Sequence, residues 1–179
     1  MIYMFLAKGF EEVEALAPLD LMRRAGLSVK TVGVGGKEVS GAHGISVLCD
    51  LADTEYADDA PEMIFLPGGM PGTLNLAASE VVRSAIETAV KTDAYLAAIC
   101  AAPSILGDMG LLRGKEAICY PGFEERLTGA TVSKNRVVRD GKILTAAGMG
   151  VAVEFGLAIV ETFLGKEKAE ELRRGVLAD

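Results

Sequence analysis

The sequence has 179 residues, is 50% hydrophobic and 24% charged, and carries a formal net charge of −7. That length and balance predict a single globular domain over residues 1–179 with a substantial core. An acidic chain with no Lys/Arg cluster larger than a pair is a poor match for nucleic acid, which we exclude as a partner.

No targeting segment or membrane span is indicated by the sequence. Its first residues, MIYMFLAKGFEEVEA, lack the basic region, the long apolar region and the cleavage site of a signal peptide. The most apolar stretch, VAVEFGLAIVETFL, is interrupted by Glu154 and Glu161. The three cysteines form no CxxC pair, so we predict neither a disulfide framework nor a structural metal site. We expect a cytoplasmic protein with reduced thiols and no membrane partner.

Short apolar runs typical of buried strands alternate with longer segments typical of helices. In chain order we predict strand 2–7, helix 11–26, strand 28–34, a hairpin in 34–50, strand 63–66, helix 79–91, strand 95–99, a short helix in APSILGDMG, strand 116–120, the strand pair VVRD and KILT, helix 151–164 and a solvated last helix in GKEKAEELRRG. Pro18 lacks a backbone N–H, so we expect the first helix to kink there or to start there. Gly35-Gly36 is expected to form the hairpin turn.

Strands that are apolar throughout and are joined by helices predict an α/β fold with a mostly parallel sheet covered on both faces. In such sheets the functional groups gather beyond the carboxyl ends of the strands. The strand ends to inspect are at Gly9, 67–69, Cys100 and 146–148.

Cys100 falls at a predicted strand-to-helix junction, in the sequence AICAA. A sharp turn there would raise the side chain above the sheet, as in a nucleophile elbow, and a helix N-terminus would lower the pKa of the thiol. Free cysteines are, however, among the most buried residues and are usually inert. Both interpretations stay open from this segment alone, whereas Cys49 and Cys119 lie in strand-like sequence and are predicted to be inert.

The stretch PGGMPG places Gly68 and Gly69 directly after a strand. Glycines there allow backbone N–H groups to approach a ligand, as in an oxyanion hole, although a simple turn is the alternative. Among the acids after the first strand, we expect Glu11 and Glu12 to be surface groups at a helix N-terminus. Glu14 borders the predicted buried face, and a carboxylate beside a thiolate would raise the pKa of both groups.

His43 is the single histidine and lies in the loop-like sequence SGAHGIS, where a surface position is expected. A Cys–His dyad would have to use it. The sequence GMG at 148–150 lacks the third glycine of a dinucleotide fingerprint, so we predict no bound cofactor there.

Four segments together resemble the ThiJ/PfpI superfamily and, within it, the DJ-one-like branch: LAKGFEEVEALAPLDLMRRAG, FLPGGMPGTLNL, AAICAAPSILGDMGLLRGK and VVRDGKILTAAGMGVAVEFGLAIVE. They follow in the family's order and spacing over essentially the whole chain. The resemblance implies a flavodoxin-like three-layer sandwich with a nucleophile-elbow cysteine, usually in a homodimer. It implies that Cys100 is the reactive cysteine, that Glu14 is its protonated partner, and that Gly69 and Ala101 are oxyanion-type backbone donors.

Members of that superfamily are described as glyoxalases that convert methylglyoxal to lactate without a cofactor, as deglycases, as redox sensors and as chaperones. The resemblance therefore implies a cysteine-dependent, cofactor-independent enzyme that acts on small reactive carbonyls or their glycated adducts. The alternative is an oxidative-stress sensor or redox-regulated chaperone whose central event is oxidation of Cys100 to a sulfinate. A peptidase is less favoured, because no histidine base is evident.

The sequence departs from the family pattern at two places. Many members carry a histidine before a proline about twenty residues after the cysteine, and Tyr120 occupies that position here. A phenol is protonated at neutral pH, so Tyr120 is expected to orient a ligand or fill space rather than act as a base. In AAGMG the basic residue and the proline of the relatives are missing, which weakens an expectation of anion binding.

Overall fold

The structure is a computed structural model that describes residues 1–57 and 60–178. Its strands are β1 (Ile2–Leu6), β2 (Val29–Gly33), β3 (Glu38–Ser40), β4 (Ser46–Leu48), β5 (Leu51–Ala52), β6 (Met63–Leu66), β7 (Tyr95–Ile99), β8 (Glu116–Ala117), β9 (Thr131–Val132), β10 (Val137–Asp140) and β11 (Ile143–Ala146). Its helices are α1 (Glu12–Arg24), α2 (Gly72–Ala78), α3 (Glu80–Lys91), α4 (Pro103–Asp108), α5 (Ala152–Leu164) and α6 (Lys166–Gly175).

A seven-stranded sheet in the order β10-β11-β7-β6-β1-β2-β5 forms the centre of the fold. Its neighbouring strands are parallel except for the β10–β11 pair. The side chains of β1 alternate between two cores: Phe5 packs with residues of α2, α3 and α4, and Met4 packs with residues of α1 and α5. Helices therefore cover both faces, and the predicted flavodoxin-like three-layer α/β sandwich is confirmed.

The strand order creates a crevice beside β1. The chain leaves β1 for β2 on one side and later enters β6 on the other side, so the connections after β1 and β6 diverge. A topological switch of this kind opens a ligand crevice at the carboxyl ends of the strands. The start of α1, residues 67–69 and Cys100 follow the neighbouring strands β1, β6 and β7, and the parallel order brings them to one edge of the sheet.

The expectation that the first helix starts at Pro18 is wrong, whereas a kink at Pro18 stays a prediction. One helix begins at Glu12 and continues through Pro18 to Arg24. At this point α1 packs closely on α5, because a Cβ added to Gly156 would lie 2.9 Å from the Cα of Pro18. The buried face of α1 against α5 offsets the hydrogen bond that proline cannot make, which costs about 3 kcal/mol in an isolated helix.

The hairpin at 34–50 also differs from its prediction. The strands β3 and β4 pair antiparallel, with Val39 opposite Val47, but residues 41–45 form the turn. Gly35 and Gly36 instead lie in the connection from β2 to β3, both with positive φ.

The predicted strand 116–120 is shorter than expected: only Glu116–Ala117 is extended, and it pairs with β9 outside the main sheet. Helix α2 was not predicted.

The helix with the clearest amphipathic pattern, α3, is confirmed. Ser79 caps it as predicted, accepting the N–H of Val82 at 3.4 Å. The last helix, α6, is mostly solvated as expected, with Ala169 as its buried residue. Within the described part of the chain, no helix is long and apolar enough to cross a membrane.

Candidate active site

Cys100 lies in the turn that joins β7 to α4. Its N–H donates to the carbonyl of Ala146 (2.9 Å), and its carbonyl accepts the N–H of Tyr120 (2.8 Å). Its φ of +64° lies in the left-handed region, which costs a non-glycine residue about 1–3 kcal/mol. Backbone hydrogen bonds on both sides hold this strained turn, and the side chain is half-buried. The arrangement of strand, strained turn and helix is the one expected for a nucleophile elbow.

Glu14 lies in the first turn of α1 and is 1% exposed. It forms a hydrogen bond with the Cys100 side chain, and its Oε2 accepts the N–H of Gly68 at 3.0 Å. Burial raises the pKa of Glu14 to about 7; the charge of Glu11 adds to this rise, and the hydrogen bonds oppose it. A carboxyl group with this pKa is both an acid and a base near neutral pH.

The charge state of Cys100 depends on that of Glu14. Burial, followed by the charge of Glu14 and the hydrogen bond to it, raises the pKa of the Cys100 thiol to about 12. This is opposite to the lowering expected from a helix N-terminus, since burial and a neighbouring carboxylate outweigh the short α4. When Glu14 carries the proton, the repulsion disappears and the carboxyl O–H can donate to a thiolate. The two groups therefore titrate as a pair that shares one proton.

Two backbone N–H groups also bind the Cys100 sulfur, those of Gly69 and Ala101. They are the donors that the family resemblance implies for an oxyanion. Because they point at the sulfur, they are also placed beside any atom that becomes bonded to it. Their hydrogen bonds act to lower the pKa of the thiol and so favour the thiolate.

Gly68 makes the approach of Glu14 to Cys100 possible. A Cβ at this position would lie 2.5 Å from the Oε2 of Glu14 and 2.6 Å from the Cβ of Cys100. Any larger residue would therefore occupy the space between the carboxylate and the thiol. The sequence identified Gly68 as part of a turn, and the structure gives the physical reason for the glycine.

Tyr120 lies at the rim of the site. Its backbone bonds to Cys100, and its ring lies beside Gly148, where an added Cβ would be 3.2 Å from the Cδ2 of the ring and 3.8 Å from the Oε1 of Glu14. The side chain is 51% exposed. An orienting role for Tyr120 stays a prediction.

The expectation that Glu12 is a surface group is wrong, because it is 4% exposed. Its Oε1 accepts the N–H groups of His43 (2.7 Å) and Ile45 (3.4 Å), and its Oε2 lies 2.9 Å from the Nδ1 of His43. Burial acts to raise the pKa of Glu12, but these hydrogen bonds outweigh it and leave the pKa lowered. His43 is thus exposed, as predicted, and its ring pairs with the buried Glu12.

Glu11, Glu12 and His43 together have the composition of a metal site, with ligand atoms within 4.8 Å of one another. The carboxylate oxygens of Glu12 already bind groups of the 41–45 turn. We therefore assign Glu12 the structural role of holding that turn against α1. A groove of about 800 Å³ lies elsewhere, between α1, the start of α5 and residues 173–178. It contains no cysteine, and its position away from Cys100 excludes it as the candidate site.

Replacing Glu12 by alanine should lower the free energy of unfolding by about 2–3 kcal/mol, because the backbone N–H groups of the 41–45 turn lose their acceptor. Thermal and urea denaturation measure this change. Glu87→Gln, which removes a carboxylate from the exposed side of α3, serves as the control and should change stability by less than about 0.5 kcal/mol. An equally mild effect of Glu12→Ala would contradict the structural role.

Comparison with known proteins is consistent with this geometry. The model of the DJ-1/PfpI family matches residues 1–162. The chain is 35% identical to the protein dj-1beta of Drosophila melanogaster, over 96% of this chain and 94% of the fly protein. It is 32% identical to the glutathione-independent glyoxalase DJR-1.2 of Caenorhabditis elegans, over 90% of this chain and 87% of the worm protein.

Among solved structures, oxidized Toxoplasma gondii DJ-1 superimposes with a TM-score of 0.94 at 30% identity, covering 98% of this chain and 97% of that one. The match to the family model and to these relatives extends over nearly the whole chain, in agreement with the order of strands and helices described above. The chain belongs to the DJ-1/PfpI family.

Proposed function

We propose that the protein is a cysteine-dependent, cofactor-independent enzyme of the glyoxalase or deglycase type that protects against small reactive carbonyls or their glycated adducts. The observation that carries the proposal is the environment of the Cys100 sulfur. This sulfur is hydrogen-bonded to Glu14 and to the backbone N–H groups of Gly69 and Ala101. These groups are a nucleophile, an acid–base and two oxyanion donors. The relative named as a glutathione-independent glyoxalase supports the same chemistry.

The reaction proposed for methylglyoxal begins when the Cys100 thiolate attacks the aldehyde carbon. A carbon–sulfur bond forms, the carbonyl π electrons move to oxygen, and the two backbone N–H groups stabilise the oxyanion. Glu14 donates the shared proton to this oxygen, giving a hemithioacetal, and then as a carboxylate removes the proton on the sulfur-bearing carbon, which leaves an enediolate. It returns that proton to the neighbouring carbon while the hydroxyl proton moves from the first oxygen to the second, which gives the thioester of lactate. Water cleaves the resulting thioester to lactate and the thiol. One carbon is oxidised as the other is reduced, so no external oxidant is needed.

In this proposal Glu14 transfers the protons that a histidine at the position of Tyr120 would transfer in other members. Its pKa of about 7 suits both directions of proton transfer. Tyr120, at the rim, would orient the bound carbonyl compound. We further propose that the protein works as a homodimer in the cytoplasm, where its thiols stay reduced.

Cys100→Ala should reduce methylglyoxal consumption and lactate formation by at least a hundredfold, because the nucleophile is lost. Cys49→Ala, which removes a buried thiol between β4 and β5, is the matched control and should keep the wild-type rate. Both rates are measured by loss of methylglyoxal and by enzymatic determination of lactate. Equal rates for wild type and Cys100→Ala would remove Cys100 from the mechanism.

A redox-sensor or redox-regulated chaperone function is the second candidate, because the same hydrogen-bond donors would hold the oxygens of a Cys100 sulfinate. Two equivalents of hydrogen peroxide would each transfer one oxygen to the sulfur and leave as water. Intact mass after mild peroxide treatment distinguishes the two. A stoichiometric two-oxygen adduct on Cys100 in a protein with negligible carbonyl turnover would favour the sensor.

A further inference from the structure

The charged groups that act on the Cys100–Glu14 pair include a second carboxylate, that of Glu11. Its N–H donates to the carbonyl of Gly68 at 2.9 Å. A Cβ added to Gly69 would lie 2.3 Å from this nitrogen, so Glu11 is packed against the glycine turn whose N–H binds the sulfur. The Glu11 side chain is 18% exposed, whereas Glu14 is buried. Glu11 is thus the more accessible carboxylate of the two, and its backbone is packed against the turn beside the sulfur.

The charge of Glu11 is not cancelled by its cationic neighbour. The Nδ1 of His43 lies 3.5 Å from the Oε2 of Glu11 but 2.9 Å from the Oε2 of Glu12, which holds the ring. Two carboxylates and one imidazole sum to −1 when His43 is protonated and to −2 when it is neutral. This cluster is therefore negative in both states, and the charge of Glu11 acts on the site, where it raises the pKa of Glu14.

We propose that Glu11 is a specificity-determining residue that makes the Cys100 site select neutral electrophiles, such as α-oxoaldehydes, over anionic ones, such as 2-oxoacids. The inference rests on the proposed function for its substrate class. An aldehyde such as methylglyoxal carries no charge, whereas the oxidised counterpart carries a carboxylate next to the reacting carbon. Bringing that carboxylate to Cys100 places it close to Glu11 in a partly desolvated site, where like charges repel more strongly than in water.

Alkylation of Cys100 by iodoacetamide and by iodoacetate tests this selection without requiring carbonyl turnover. In both reactions the sulfur forms a bond to the CH₂ carbon and iodide leaves, so the reagents differ in charge but little in size. The rate constants are measured by mass spectrometry of the Cys100 peptide, and their ratio is normalised to that of free cysteine. A change in the thiolate content of Cys100 alters both rates equally and cancels from the ratio.

The wild-type ratio of iodoacetamide to iodoacetate should exceed that of free cysteine by about fivefold or more, the order expected for one nearby carboxylate. Glu11→Gln should lower the ratio by about the same factor. Glu87→Gln, the matched neutralisation on α3, should leave it unchanged. Near 1 M salt the wild-type preference should shrink, because the Debye length falls to about 3 Å.

An unchanged ratio in Glu11→Gln would overturn the inference, and so would a Cys100 that reacts with neither reagent, since a selective site must be open. Failure of the proposed function gives a different result. In that case methylglyoxal is not consumed by the wild type, while the alkylation ratio still reports whether Glu11 selects by charge.

Discussion

Glu14→Gln should lower methylglyoxal turnover by about a hundredfold or more while the protein stays folded. Glutamine keeps the size of the side chain and can still accept the N–H of Gly68 through its amide oxygen. It cannot release or take up a proton, and general acid–base catalysis typically contributes 10²–10⁴-fold. The loss should therefore appear in the rate of the chemical step, measured as kcat for lactate formation.

The pH dependence of turnover provides a second test of the role of Glu14. Below pH 7 the wild-type pair holds two protons, one on Glu14 and one on the thiol, and neither a thiolate nor a base is present. Loss of the first proton, governed by the Glu14 pKa of about 7, gives the singly protonated pair. Turnover should rise as the pH rises through about 7. It should not fall again until far higher pH, because the second proton is held with a pKa of about 12.

In Glu14→Gln the rise near pH 7 should be absent, since the group that titrates there is gone. Glu87→Gln again provides the matched control and should keep both the wild-type rate and the rise. Circular dichroism checks that each variant is folded. A Glu14→Gln enzyme that kept more than about a tenth of the wild-type kcat would show that the proton is carried by another group.

The positions of the candidate site residues could be predicted because the fold is strongly patterned. Apolar runs mark β1, β6 and β7. Cys100 directly follows β7, Gly68 and Gly69 lie in the loop after β6, and Glu14 lies in α1, the helix that follows β1. Parallel neighbouring strands end at one edge, so residues far apart in sequence become neighbours through the strand order alone. The resemblance to the family then supplied the roles that strand ends cannot specify.

The parts that could not be predicted depend on contacts between distant segments. The local sequence around Glu12 predicts a solvated acid at a helix N-terminus. Its burial results from contact with the 41–45 turn, which is distant in sequence. The helix continues through Pro18 because Gly156 of α5 lets the two helices approach. The pKa of Cys100 depends on burial and on Glu14, which outweigh the local helix N-terminus. No local pattern in the sequence encodes these effects.

Gly68→Ala should bring methylglyoxal turnover down to near the level of Cys100→Ala and lower the free energy of unfolding by about 1–3 kcal/mol. The added methyl would lie 2.5 Å from the Oε2 of Glu14 and 2.6 Å from the Cβ of Cys100. Since Cys100 is fixed by backbone hydrogen bonds to Ala146 and Tyr120, Glu14 must move instead. The movement separates the carboxyl from the sulfur, and both the proton transfer and the shared-proton pair are lost.

A graded series of glycine substitutions separates this mechanism from a general effect of glycine replacement. At Gly148 the added Cβ would lie 3.2 Å from the Tyr120 ring and 3.8 Å from Glu14, so Gly148→Ala should reduce turnover by less than about tenfold. At Gly175, near the end of α6, the added Cβ meets nothing within 4 Å, and Gly175→Ala should behave as wild type. If Gly68→Ala were as active as Gly175→Ala, direct contact between Glu14 and Cys100 would not be needed for turnover. The rate must therefore follow the order of these distances if the carboxyl acts on the sulfur itself.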